Sequence, residues 1–287
     1  MKAIPRADEP ATLTAFRSAQ PTATWDRMRE DAFHEGQQSY LDIKATLVRV
    51  QRGLCAYCER SLADKLDDDA IASKRSQQRV EHFHPKSDTT GIINWALHWP
   101  NLLVVCHGGS ERPAGGGPID LDRYLPPLPD NLSCDQFKDY QIGGGRLDEN
   151  PEGFILDPHE VPAFPRLFRF APDGTPEPDH PNCAITTIPG NRHADTSTLV
   201  LETIKHLNLG CARLNRTRNI VRSQLEKRIR TIRLRNVGVP AHDIELGLAR
   251  SLFPGKPGLP WHRFFTIIRW RLGEIAEERL REIYYAG

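Results

Sequence analysis

Val80-Glu81-His82-Phe83-His84-Pro85-Lys86-Ser87 is the stretch on which the reading of this 287-residue chain turns. It sets a carboxylate and an imidazole side by side, with a second imidazole, a proline and a lysine just behind. Histidine has an ordinary pKa near neutrality, and carboxylate oxygens suit hard divalent cations. Residues 78–83 read as a short strand, and Pro85 ends its pairing because proline has no N–H to give to a ladder. On a continued strand His84 shares a face with His82, which makes it a candidate second metal or phosphate contact, with a purely structural role as the alternative.

Upstream, Cys55-Ala56-Tyr57-Cys58 is a knuckle that places two thiolates on one face of a turn, half of a tetrahedral zinc site. The other half is less obvious, because Cys106 is followed by His107-Gly108-Gly109 and the next cysteine is Cys134. Cys106 and Cys134 are expected to complete a four-cysteine site, with the Gly- and Pro-rich stretch 107–133 as a loop between them. The alternative makes His107 the fourth ligand and Cys134 a small buried residue. Six cysteines in a chain this long suit metal binding in a reducing compartment better than a disulfide framework, leaving Cys183 and Cys211 as free thiols.

The run from Val80 to Ser87, the C-x-x-C before it, and Asn101 five residues before a cysteine together resemble an HNH endonuclease. That family folds as two strands and a helix around a catalytic metal, in the order C-x-x-C, Asp/Glu-His, Asn, C-x-x-C-His. Here Cys134-Asp135-Gln136-Phe137-Lys138 stands where the family has Cys-His-x-x-Lys, so Asp135 takes the place of the last histidine. The resemblance covers residues 53–140. It implies that His82 is the general base that activates water, and that Glu81 and Asp135 hold a catalytic Mg2+ or Mn2+. Asn101 either binds that metal or fixes the loop that carries His82. Lys86 and Lys138 are candidate phosphate contacts, against the alternative of ordinary exposed lysines. Further on, Leu167-Phe168-Arg169-Phe170-Ala171-Pro172-Asp173-Gly174 and Glu202-Thr203-Ile204-Lys205-His206-Leu207-Asn208-Leu209, then Leu214 and Arg218, resemble the HNH effector of Septu-type and retron-associated bacterial antiphage systems. That subgroup works beside an ATPase, which implies a toxic effector restrained or directed by a partner.

The expected fold is α+β and mainly helical: a ββα-metal core stapled by the cysteines, between helical N- and C-terminal regions. Residues 1–52 are an N-terminal helical region, 53–140 the core, 141–196 a loop-rich connector with a hairpin turning at Pro172-Asp173-Gly174, and 197–287 a C-terminal helical region. Residues 1–20 show no period and are expected to run irregularly over the surface. A helix over 37–52, with Leu41, Ala45 and Val48 inward, stops at Gly53 and delivers the chain into the knuckle. The polar segment 61–78 reads as a solvated insertion, and the apolar run 101–105 as a strand or the start of a short helix. Helices are expected over 197–207, 210–236 and 261–285.

A net charge of +1 hides a basic run over 213–235, where nine Lys and Arg face only Glu226. Arg222, Arg230 and Arg233 are the candidate nucleic-acid contacts on that helix, against the alternative of a solvated face. The chain has no apolar run of membrane-spanning length and no apolar leader at its start, which predicts a soluble cytoplasmic protein with no membrane partner. Nothing in the residues separates DNA from RNA such as tRNA as the substrate. A catalytically silent zinc-stapled binding module is the rival class, which Glu81-His82 beside Asn101 and Asp135 argues against.

Overall fold

A computed structural model describes residues 1–112, 120–256 and 258–287. The N-terminal region is more ordered than its composition suggests. Helix α1 (Ala11–Ala19) buries Leu13 and Phe16, three positions apart, and packs on α3 (Gly36–Val50), as does α2 (Trp25–Glu30). The irregular surface run expected over residues 1–20 is therefore corrected: Met1, Ala3 and Ile4 are also buried. Gly36 permits the close start of α3, since a Cβ there would lie 2.3 Å from the Met28 carbonyl oxygen. In α3 the fully buried apolar residues are Ile43, Leu47 and Val48, so the helix is turned from the Leu41, Ala45, Val48 face.

Segment 61–78 is likewise not a solvated insertion throughout. Leu62, Leu66 and Ile71 are buried, and Asp67-Asp68-Asp69 marks the start of α4 (Asp68–Ser73). The Asp67 carboxylate caps it by accepting from the Ala70 N–H at 2.8 Å, and acidic residues in a first turn complement the helix dipole. Next come β1 (Arg79–His82) and β2 (Leu102–Val105), antiparallel, with Glu81 opposite Leu103 and His82 opposite Leu102. The run 101–105 is thus a strand, and it is buried at every position, which removes the alternation that would have announced it. Its outer edge is occupied by the buried Gln51 amide, which donates to Val104 O at 2.7 Å and accepts from Val104 N at 2.8 Å.

Residues 113–119 of the Gly/Pro-rich loop lie outside the described residues. Beyond it, α5 (Cys134–Gly143) completes a strand-strand-helix unit. The connector carries the expected hairpin, β3 (Phe168–Phe170) with β4 (Pro176–Pro178), and a short α6 (His180–Ala184). Helix α7 (Thr196–His206) follows, then the long α8 (Ala212–Arg235), whose apolar stripe buries Leu214, Val221, Leu225 and Ile229 and half-buries Ile232. Helix α9 (Ala241–Leu252) was not anticipated in the sequence. The single helix expected over 261–285 is two, α10 (Phe265–Leu272) and α11 (Glu274–Glu282). Gly273 breaks it, with φ 56° and ψ −132°, a conformation open to glycine. No helix among the described residues is long and apolar enough to cross a membrane.

One continuous hydrophobic cluster draws on every region, from Met1 through the knuckle and β2 to Tyr285. Glu59, next to Cys58, ties its ends together. Its buried carboxylate accepts from the Thr266 N–H at 2.8 Å and from the Thr266 hydroxyl, and the α-amino group of Met1 lies 3.4 Å away. Its backbone C=O accepts from Phe264 N at 2.8 Å. Leaving a buried donor such as the Thr266 N–H without its acceptor costs about 1–3 kcal/mol. Glu59→Ala is therefore expected to lose that order of stability in urea unfolding, and Glu59→Gln less; a change within measurement error would show that this tie contributes nothing.

Candidate metal centre and catalytic cleft

Four cysteines meet at the base of the strand-strand-helix unit. Cys55 and Cys58 come from the knuckle, Cys106 directly follows β2, and Cys134 opens α5 with φ 58°. All four are buried and their sulfurs lie within 4.8 Å of one another. The Sγ···Sγ separations are 3.6 Å for Cys58–Cys106 and 3.9 Å for Cys55–Cys134 and Cys106–Cys134. Zinc–sulfur bonds of about 2.3 Å at tetrahedral angles put neighbouring sulfurs about 3.8 Å apart, whereas a disulfide requires about 2 Å. The donor set fits Zn2+. His107 lies outside this group, and its Nε2 is 2.8 Å from the Ser76 carbonyl oxygen.

The surroundings are those of thiolates. Backbone N–H groups of Cys106 and Gly108 donate to Cys55 and Cys106 sulfurs at 3.4 Å. Burial pushes the Cys55 and Cys134 thiols well up, while sulfur hydrogen bonds with Cys134, Cys55 and Cys58 hold Cys106 well below its usual range. A bound Zn2+ lets all four ionise, for a net charge of −2. Two buried guanidiniums face that charge, Arg213 and Arg218. Burial alone would lower Arg213, yet Cys211, Cys106, Cys58 and Cys134 together keep it above its ordinary value. Arg213 donates to Ser133 Oγ at 2.6 Å, and that hydroxyl touches Cys134 Sγ at 3.5 Å. Gly109, at φ 92°, makes room for it: a Cβ there would sit 2.6 Å from Arg213 Nε. The Gly-Gly after Cys106 was the available sequence signal for this contact.

Above the cysteines a cleft of about 330 Å³ opens between β1 and α5, lined among others by Arg79, Glu81, His82, Lys86, Asp135 and Lys138. Asp135 and Lys138, three apart on α5, both turn toward Glu81 on β1. Burial and the neighbouring Glu81 push the Asp135 carboxyl well up, against the pull of Lys138 and Arg79, the latter 3.2 Å away. Two carboxylates forced together in a buried site are a donor set for a divalent cation. Tyr57, inside the knuckle, donates its hydroxyl to Glu81 Oε1 at 3.3 Å, linking the cysteine cluster to the cleft. Lys138 reaches Glu81 Oε1 and, at 3.3 Å, the His82 carbonyl oxygen.

His82 is held by two contacts that its sequence neighbours did not reveal. Nε2 lies 3.1 Å from the Ala96 carbonyl oxygen, and the ring meets Trp25 edge-on with centroids 4.6 Å apart. Nε2–H therefore donates to Ala96, leaving Nδ1 as the basic nitrogen. Burial lowers His82 to about 4, so the ring is neutral at neutral pH. Asn101 spends its amide on the main chain: Oδ1 accepts from His84 N at 2.7 Å, and Nδ2 donates to His84 O and Trp95 O at 3.0 and 3.1 Å. Of its two alternatives, this geometry belongs to the one that fixes the loop beside His82.

Other candidates sit differently from expectation. His84 lies beyond the end of β1 and does not line the cleft; Nδ1 meets Glu152 at 3.1 Å, Nε2 meets Asp88 at 2.8 Å, and the ring stacks on Trp95. With both nitrogens engaged inside the chain, this geometry belongs to the structural alternative for His84. Lys138 is buried rather than exposed, whereas Lys86 is exposed at the cleft rim. None of Arg222, Arg230 and Arg233 lines the cleft. Arg222 donates to Pro172 O at 2.6 Å, Arg233 pairs with Glu245, and Arg230 is exposed.

A strand pair and a helix thus bring Glu81, His82 and Asp135 together beside four buried cysteines. No family model matches the chain. It is 35% identical over 221 residues, 76% of its length and 78% of the relative's, to an Escherichia coli protein named "Retron Ec83 putative HNH endonuclease". The chain belongs to the HNH endonuclease family and is a nuclease.

Zinc retention should follow the sulfur geometry. Elemental analysis of Cys134→Ser is expected to show metal loss with a lowered melting temperature, while His107→Ala keeps its zinc; the reverse pattern would contradict the four-cysteine assignment.

Proposed function

We propose that this chain is a nuclease effector of a retron-associated antiphage system, cutting DNA with a cation held by Glu81 and Asp135 and with His82 as base. The observation that carries this reading is the pairing on β1: Glu81 turned against Asp135, and next to it a neutral imidazole whose tautomer is set by Ala96. In that assignment the cation supplies charge to neutralise the scissile phosphate and lower the cost of the departing oxygen. His82 Nδ1 takes the proton of the attacking water, Ala96 O keeps the ring oriented, and Asn101 keeps the loop that carries Ala96 against β1. Arg79, Lys86 and Lys138 surround the phosphate's position with positive charge. The four-cysteine zinc holds the three elements in register.

DNA is favoured over RNA because the one phenyl ring among the described residues of the cleft, Phe83, is buried, which leaves no exposed aromatic platform there of the kind that stacks unpaired bases. The role in defence rests on the relative's name and on the downstream motifs around Phe168 and His206. The same resemblance supports an ATPase partner. Ile268 and Leu272 of the C-terminal helices are core residues, 1% and 4% exposed, and are not part of the surface offered to such a partner.

His82→Ala is expected to lower plasmid cleavage in Mg2+ or Mn2+ by roughly two to four orders of magnitude with zinc content unchanged. Glu81→Ala and Asp135→Ala should also fail, but with partial recovery at higher Mn2+. Near-normal cutting by the His82 variant, or cleavage of tRNA in preference to plasmid, would contradict the proposal.

A further inference from the structure

Lys138 is in an unusual place for a lysine in a nucleic-acid cleft. It is 4% exposed, its ammonium rests on Glu81 Oε1, and the His82 carbonyl oxygen accepts from it at 3.3 Å. Arg79 meets Asp135 at 3.2 Å. The two carboxylates that would hold the divalent ion are thus already matched by two cations belonging to the chain. The ammonium in contact with Glu81 competes with any incoming cation for that carboxylate oxygen.

We propose that Lys138 is an exchangeable counter-ion: it occupies Glu81 until a divalent cation displaces it, and a substrate phosphate then receives it. This rests on the reading of Glu81 and Asp135 as the cation's ligands. A dication entering a site whose charge is already balanced meets the repulsion of an ammonium in contact with its ligand. That repulsion is relieved when the ammonium finds another anion, and Lys138 has the means to move. It lines the cleft, its stem is flexible, and its bond to the His82 carbonyl keeps the head beside the catalytic strand. Cation and phosphodiester then favour each other's binding through Lys138, a coupling that must be reciprocal. The consequence is a nuclease with weak affinity for Mn2+ or Mg2+ until nucleic acid is in the cleft.

The test measures Mn2+ binding by calorimetry on zinc-loaded full-length protein, all variants carrying His82→Ala so that a DNA duplex stays intact. Lys138→Met is expected to bind Mn2+ about tenfold or more tightly than the Lys138 protein when no DNA is present, within the usual range of coupling between sites. Lys138→Arg, which keeps the charge, should remain as weak as the Lys138 protein. Adding duplex should strengthen Mn2+ binding more in the Lys138 protein than in Lys138→Met. Unchanged or weaker Mn2+ binding by Lys138→Met, at equal zinc content and melting temperature, overturns the proposal. If Lys138→Met does not fold, Lys138→Gln replaces it under the same criterion. A Glu81→Ala control separates the two claims: retained Mn2+ affinity there would mean that the cation binds elsewhere and would remove the functional reading itself, whereas lost affinity with no Lys138 effect removes only this inference.

Discussion

The spacing of four sulfur atoms is the constraint on which the rest of the molecule depends. Cys55, Cys58, Cys106 and Cys134 come from a turn, a strand end and a helix start separated by up to 79 residues of chain. The strands that join them are short: β1 and β2 are four residues each, and an isolated two-stranded ribbon is marginal in water. Drawing the sulfurs together fixes α5 across the ribbon, and that fixes where Asp135 and Lys138 stand relative to Glu81. Metal binding of this sort is folding energy as much as ligation.

Charge compensation then runs through two shells. The cluster's negative charge is met by Arg213 and Arg218 from α8, so the basic run that reads as a nucleic-acid face is partly spent inside the protein. The cleft carboxylates are met by Lys138 and Arg79. Tyr57 bridges the shells, since it sits within the knuckle and donates to Glu81. A change at the cysteines should therefore be felt at the catalytic strand without any motion of large elements.

Much of this was legible in the sequence where chemistry is local. The knuckle, the Glu81-His82 pair, the strand ended before Pro85, and the apolar stripe of α8 each depend on residues within a few positions of one another. What escaped depends on distant partners. Trp25 and Ala96 frame His82 from segments 57 and 14 residues away, and no local pattern announces either. His84 looked like a companion of His82 because strand periodicity was carried past β1, where Asp88 and Glu152 instead claim both its nitrogens. The split of 261–285 turned on one glycine whose φ and ψ no periodicity reveals. Leu13 and Phe16 were missed because a single buried turn amid Pro, Thr and charge is too short to establish a period.

The central claim is that two different cations occupy two adjacent, chemically distinct sites in one small unit. Anomalous diffraction from crystals of the zinc-loaded protein soaked in Mn2+, with data at both metal edges, tests it most directly. The account predicts a zinc peak equidistant from the sulfurs of Cys55, Cys58, Cys106 and Cys134, and a manganese peak bridging the carboxylates of Glu81 and Asp135 with Lys138 moved off Glu81. Manganese bound anywhere else, or a zinc peak that omits one of the four cysteines, would contradict it.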